Sequence, residues 1–215
     1  MKKIISYALY GNNKKYCIGM LENLKINKKK LPDWEVYIYY NNVPKEYLKM
    51  YNTYNPVLIN CDDTEYKWEG MFWRFRPFNL DNVDIFLSRD ADSRITDREI
   101  KFINEFIKSN KCFHIIRDHP GHRIEILGGT FAVKVKLFNN KYKIKNMNEY
   151  ILEYRTKFHR ELEKQPDQHF LREKIWPLIE KDNMAHIAFE ELRYTNDDIK
   201  TNFVPEFIGK DVEIE

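Results

Sequence analysis

A single-domain α/β fold, with a mainly parallel sheet flanked by helices, is what the sequence predicts, and three observations carry that prediction. Short strand-like runs alternate with segments of helical spacing over the first two-thirds of the chain. One run, residues 84–88 (DIFLS), is almost wholly apolar, as a strand buried on both faces must be. A length of 215 residues suits one well-packed domain, and neither an internal repeat nor a Pro- or Ser-rich linker divides it.

The elements follow in order. Residues 3–10 alternate and are rich in Ile and Tyr, which marks a first strand, and Gly11-Asn12-Asn13 is a turn signal that ends it. Apolar residues at helical spacing occupy 16–24, a second strand 34–40, and a short helix 44–51 with Pro44 at its start. Residues 55–60 form a short third strand, and 68–78 is an aromatic-rich stretch. After the buried run, Thr96-Asp97-Arg98-Glu99 reads as a capping box ahead of the apolar stripe Ile100, Ile103, Phe106 and Ile107. Residues 112–116 are a further strand, Arg117 to His122 a loop, and Leu127-Gly128-Gly129-Thr130-Phe131 the start of another extended piece. The last third reads as mostly helical, over 148–158 and 168–179, before a late pair of apolar segments.

Composition excludes several classes of function. A hydrophobic content of 43% rules out global disorder. The 36 basic and 33 acidic residues nearly cancel, so charge argues for no nucleic-acid partner, and runs such as Lys28-Lys29-Lys30 and 134–145 read as solvated surface. Three scattered cysteines, Cys17, Cys61 and Cys112, suit reduced buried thiols and make no zinc site. No stretch approaches the roughly 20 apolar residues of a membrane span or resembles a signal peptide. The chain therefore reads as soluble and cytoplasmic, while its oligomeric state is not legible.

The sharpest chemical feature is Asp90-Ala91-Asp92, directly after the buried strand. In an open α/β sheet the carboxyl ends of the strands are where ligands bind. Two carboxylates one residue apart repel unless a cation lies between them, and hard oxygen donors favour Mg²⁺ or Mn²⁺. Such an ion can neutralise a departing diphosphate. A solvated acidic loop is the plainer reading. A D-x-D phosphohydrolase with Asp90 as nucleophile is a third, although there the motif normally follows the first strand.

Other candidates lie at positions able to converge on that edge. Leu9, Tyr10 and Gly11 end the first strand, where an aromatic ring and free backbone groups can hold a base, or form only core and turn. Gly128 and Gly129 allow close backbone approach to a ligand, or a kink. Asp167 precedes a helix, as a cap or as a group facing the cleft. His186 lies in a loop-like stretch, 182–186, and beside a D-x-D site becomes a candidate third metal ligand.

Seven segments in order then resemble small GT-A glycosyltransferases of bacteria and large DNA viruses, including algal-virus glycosyltransferase domains. They are Tyr7 to Asn12, Leu31 to Trp34, Gly70 to Phe75, Arg89 to Arg94, Arg117 to Pro120, Ile126 to Gly129, and Asp167-Gln168 with Phe170-Leu171. The resemblance implies a nucleotide-binding part over about 1–92 and a sugar and acceptor part over about 93–215. It implies transfer of a hexosyl unit from a UDP-sugar to a hydroxyl of a glycan or related acceptor, with Mn²⁺ or Mg²⁺. Asp90, Asp92 and His186 would hold the metal. Leu9, Tyr10 and Gly11 would line the nucleotide pocket, with Ala91 between the acids, and Arg74 would reach the diphosphate. Asp118, Gly128 and Gly129 would flank the donor sugar. Asp167 would be the base of an inverting reaction or a positioning group in a retaining one, and Arg89 would brace the motif through an ion pair. A nucleotide-sugar-binding module without turnover is the non-enzymatic alternative. The sequence departs from such relatives around Thr130 and Pro166, where specificity would be set.

Overall fold

Eight strands join into one sheet in the order β3-β2-β1-β4-β6-β5-β7-β8, in a computed structural model that describes residues 1–61, 69–158 and 165–211. Trp68, the start of the aromatic-rich stretch, and Lys164, beside the divergent Pro166 segment, lie outside the described residues. The first half alternates strictly. β1 (Lys3–Tyr10), α1 (Lys14–Lys30), β2 (Glu35–Asn41), α2 (Lys45–Asn52) and β3 (Val57–Asn60) lead through α3 (Gly70–Trp73) and a 3₁₀ turn (Arg76–Asn79) to β4 (Ile85–Arg89). α4 (Asp97–Lys108), β5 (Phe113–Arg117), β6 (Thr130–Lys134), α5 (Val135–Tyr142) and α6 (Met147–Phe158) follow. α7 (Pro166–Phe170) runs through a π-helical turn (Leu171–Ile175) into α8 (Trp176–Ile179), and β7 (Asn183–Ile187) and β8 (Ile199–Lys200) complete the sheet. The π turn precedes Pro177, whose missing N–H and ring clash with the preceding turn make a regular α ladder unworkable there.

All pairings are parallel except those of β6, which runs antiparallel to both β4 and β5. The period-two alternation of each strand divides its side chains between two cores. Ile5, Tyr7 and Leu9 of β1 with Ile85 and Leu87 of β4 face α1, α2 and α4. Ile4, Phe86, Phe131 and Val133 face the opposite layer, where Phe72, Trp73, Phe75 and Phe78 meet Phe138, Tyr154 and Phe170. The aromatic-rich stretch thus builds core: Phe78 packs edge-on against Phe86 at 4.8 Å, and Phe75 against Phe131 at 5.4 Å.

Three expectations change. The first helix extends from Lys14 to Lys30, because Asn13 caps its start by accepting from Lys15 N at 2.9 Å and, past Leu24, buried Asn27 donates to Tyr7 Oη at 3.1 Å while Lys25, Lys28 and Lys29 face solvent. The basic stretch 134–145 contains α5, with Val135 and Phe138 fully buried. Residues 182–186, expected as loop, are mostly β7, which pairs with β5 in parallel. Cys17, Cys61 and Cys112 are buried, as expected. Among the described residues no helix is long and apolar enough to cross a membrane.

Candidate active site at the carboxyl edge of the sheet

β1 and β4 are neighbours and parallel, so their carboxyl ends open on the same side. The turn Asp90-Ala91-Asp92 leaves β4 there, with Ser93 N bonded to Asp90 O at 3.4 Å. α1 is clamped onto this turn from below. Asn23 Nδ2 donates to Ala91 O at 3.0 Å, and Gly19 approaches so closely that a Cβ there would stand 2.5 Å from the same carbonyl oxygen. Gly19→Ala raises helix propensity by about 1 kcal/mol, so the clash predicts the opposite sign. We expect a net loss of about 1–3 kcal/mol, measured by urea unfolding; a gain in stability would show that α1 can retreat without cost.

A pocket of about 440 Å³ opens above the turn, lined by Ala8, Leu9, Tyr10, Tyr16, Met71, Arg74, Asp90, Ala91, Asp92 and Asp211. Leu9 is buried, whereas Tyr10 and Tyr16 are each about 40% exposed and present aromatic rings at the wall. Tyr10 is steadied edge-on by Trp73 at 5.9 Å. Gly11 turns the chain away at φ +81°, its N–H donating to Asn41 O.

Arg74 is the centre of the charge network. Its Nη1 donates to Asp90 Oδ1, and its Nη2 to Asp167 Oδ2 at 2.6 Å. Burial alone would lower the guanidinium pKa; the two carboxylates more than reverse this and raise it. Burial raises the pKa of Asp167, and Arg74, shared with Asp90, only partly offsets it. Gly128 and Gly129 flank this trio at close quarters: a Cβ on Gly128 would strike Arg74 Nη2, and one on Gly129 would fall on the Asp90 carboxylate. Their lack of side chains is a packing requirement of the acid–arginine cluster itself.

Arg89 braces the motif from behind. It ion-pairs with Glu99 and donates to Gly129 O at 2.5 Å. The capping box is therefore only half made: Thr96 Oγ1 accepts from Glu99 N at 3.1 Å, while the Glu99 side chain turns to Arg89 instead of back to the helix start. Burial pushes the Glu99 carboxyl up to about 7, against the pull of Arg89.

Asp92 faces Lys15, whose Nζ lies 3.2 Å from Asp92 Oδ2 and 3.2 Å from Asp211 Oδ2. Burial, then Asp90 and Asp211, raises the Asp92 pKa, opposed by Lys15. Lys15, Tyr16 and Asp211 were not singled out from the sequence. Asn13 as a helix cap was the available signal for the first two; nothing local distinguishes Asp211.

Two expected site residues lie elsewhere. His186 is buried in β7, separated from β4 by β5 and β6. Its Nδ1 meets His114 Nε2 at 2.9 Å, its Nε2 meets Glu105 Oε2 at 2.9 Å, and its ring stacks on Phe102 at 4.1 Å. It is a structural histidine in this chain and is not assembled with Asp90 and Asp92. Asp118 is buried as well and accepts from Arg98 Nη2 at 2.8 Å and from Ile208 N at 3.0 Å. It latches the C-terminal segment, where His119 stacks on Phe207 at 4.1 Å and a bridge pairs Ser93 with Asp211. Asp118 thus holds Ile208, three residues before Asp211, which reaches the pocket. Asp167, read as a possible base, is not at the pocket wall: it sits in the first turn of α7, behind Arg74.

Burial first, then the charge of its neighbour, holds His114 well below the usual histidine range, and burial holds His186 below it despite Glu105. Both rings are satisfied when neutral with their protons on Nε2. Folded-state values depressed below about 6.5 mean that their contribution to stability is full above that pH and lost as pH falls below it. Glu99 runs the other way, gaining between 7 and its unfolded value of 4.5. Ring NMR separates the two: we expect both His114 and His186 to titrate below the usual histidine midpoint in the folded protein, His114 well below it. An ordinary midpoint near 6.5 for either ring would overturn the buried neutral pair.

No protein-family model and no curated protein matches the sequence. Solved structures do match by shape. The apo form of the glycosyltransferase GlyE of Streptococcus pneumoniae TIGR4 superposes with a TM-score of 0.57 at 14% identity, over 86% of this chain and 45% of that one. The galactosyltransferase LgtC, in complex with donor and acceptor sugar analogues, superposes with a TM-score of 0.54 at 9% identity, over 79% of this chain and 69% of that one. The chain thus spans less than half the length of GlyE. With its parallel sheet, the antiparallel β6 and the open carboxyl edge, the chain has the α/β fold of GT-A-type glycosyltransferases.

Proposed function

We propose that the chain is a glycosyltransferase that moves a hexosyl unit from a UDP-sugar to a hydroxyl of a glycan or related acceptor. The observation that carries this reading is the pocket of about 440 Å³ at the carboxyl edge of β1 and β4, which joins two aromatic rings to a D-x-D turn. The volume lies within the range of small-molecule sites, and the position is where open α/β sheets bind ligands. Tyr10 and Tyr16 would flank the nucleobase, with Leu9 and Ala8 lining the pocket beside them and Gly11 turning the chain away just outside it. Arg74 offers its guanidinium to the diphosphate.

Asp90 and Asp92 line the pocket as two carboxylate donors suited to a divalent cation, although among the described residues no group of three or more His, Cys, Asp or Glu side chains gathers to hold one. Asp90, Asp92, Asp167 and Asp211 are connected to two cations, Arg74 and Lys15, so the cluster carries an excess of two negative charges. Asp90 and Asp92 present hard oxygen donors at the pocket wall, whereas Asp167 is turned to Arg74 behind it. Asp90 and Asp92 would hold Mn²⁺ or Mg²⁺, which when bound supplies Lewis-acid neutralisation of the leaving diphosphate. Asp167 acts through Arg74, holding the guanidinium at the wall, while Gly128 and Gly129 let Arg74, Asp90 and Asp167 pack closely against the backbone.

The test is a panel of UDP-, GDP- and dTDP-sugars incubated with the chain and Mn²⁺, read by nucleoside diphosphate release. UDP release from at least one donor is expected. UDP binding in calorimetry without release from any donor would convert the reading to a nucleotide-sugar-binding module. Phosphate release from a generic phosphomonoester would favour the phosphohydrolase.

A further inference from the structure

Lys15 occupies an unfavourable position for helix stability. It sits with Lys14 in the first turn of α1, where the positive end of the helix dipole favours acids, and α1 has none there. Its Nζ instead bridges Asp92 and Asp211 at 3.2 Å each, joining the second acid of the motif to the one delivered by the C-terminal segment. Arg74 matches Asp90 in the same way. Each carboxylate of Asp90-Ala91-Asp92 is thus already paired with a cation from the chain itself.

We infer that Lys15 is an exchangeable counter-ion that competes with the divalent cation for Asp92. The entering ion takes the carboxylate, and the displaced ammonium stays at the pocket beside the N-terminal end of α1, placed to meet an anionic diphosphate. Exchange is feasible because the pair is only partly buried: the Lys15 side chain is 32% exposed and that of Asp92 11%. Arg74, gripped by Asp90 and the buried Asp167 together, is the fixed cation, and Lys15 is the mobile one.

The inference rests on the reading of Asp90 and Asp92 as metal ligands, and the experiment tests the two separately. Free Mn²⁺ is titrated by electron paramagnetic resonance, without nucleotide, against wild type, Lys15→Met, Lys15→Arg, Lys14→Met and Asp92→Asn, each checked for folding by circular dichroism. Lys15→Met should bind Mn²⁺ about two- to fivefold more tightly, the range a partly exposed ion pair supports. Lys15→Arg should stay near wild type. Lys14 is exposed and forms no ion pair among the described residues, so Lys14→Met controls for the loss of one positive charge and should change little. Equal tightening by Lys14→Met, or no tightening by Lys15→Met while Asp92→Asn abolishes binding, would overturn the role of Lys15 and leave the metal site standing. Binding of wild type and Asp92→Asn with equal affinity would overturn the metal site, and the inference with it. Should Lys15→Met fail to fold, Lys15→Gln replaces it with the same expected direction.

Discussion

Replacing Asp92 by Asn should lower Mn²⁺-dependent turnover of the preferred UDP-sugar by at least about a hundredfold, the loss expected when a main source of leaving-group stabilisation is removed. The protein should stay folded. Asp92 is crowded by Asp90 and Asp211, and its ion-pair partner among the described residues, Lys15, is partly exposed, so relief of repulsion and loss of the ion pair nearly cancel. We expect the melting temperature to move by no more than the equivalent of about 1 kcal/mol. Turnover within twofold of wild type would remove Asp92 from the metal site. A collapse of the melting temperature would instead make its role structural.

The second large effect belongs to Arg74. Arg74→Met strips the cation from Asp167, a carboxylate whose side chain is 2% exposed, and from Asp90. Leaving a buried charge unpaired costs about 3–5 kcal/mol, readable by urea unfolding at pH 7. The pH dependence has a definite sign. Without Arg74 the folded-state value of Asp167 rises further above its unfolded value of 3.8, so the deficit is greatest at neutral pH and shrinks as pH falls toward 4. Adding Asp167→Asn removes the charge while keeping the shape, and should recover most of the loss. A deficit independent of pH, or no rescue by the second substitution, would mean that packing against Phe75 matters more than charge.

Much of the fold was legible in local pattern. The apolar run 84–88, the alternating first strand and the Thr96 cap each concern neighbours within a few residues, and each appears within a residue or two of its expected bounds. The errors fell where tertiary burial decides. Residues 182–187 mix Asn and His with small apolar residues and signal no strand alone; β7 forms because β5 offers an open edge and because His114 and Glu105 satisfy the His186 ring. α5 was hidden in a lysine-rich stretch, since only Val135 and Phe138 of it reach the core.

The sequence by itself determined the α/β class and the acids of Asp90-Ala91-Asp92 at the end of a buried strand. These follow from short-range regularities, the period of a strand and the chemistry of adjacent side chains. Only the tertiary structure decided which distant groups meet those acids. It brought Arg74 and Asp167 together across 93 positions of chain, carried Asp211 to Lys15 across 196, and set His186 and Asp118 into structural roles. Partnership between charges depends on distance in space, and a sheet whose order departs from that of the chain makes that distance unreadable from spacing.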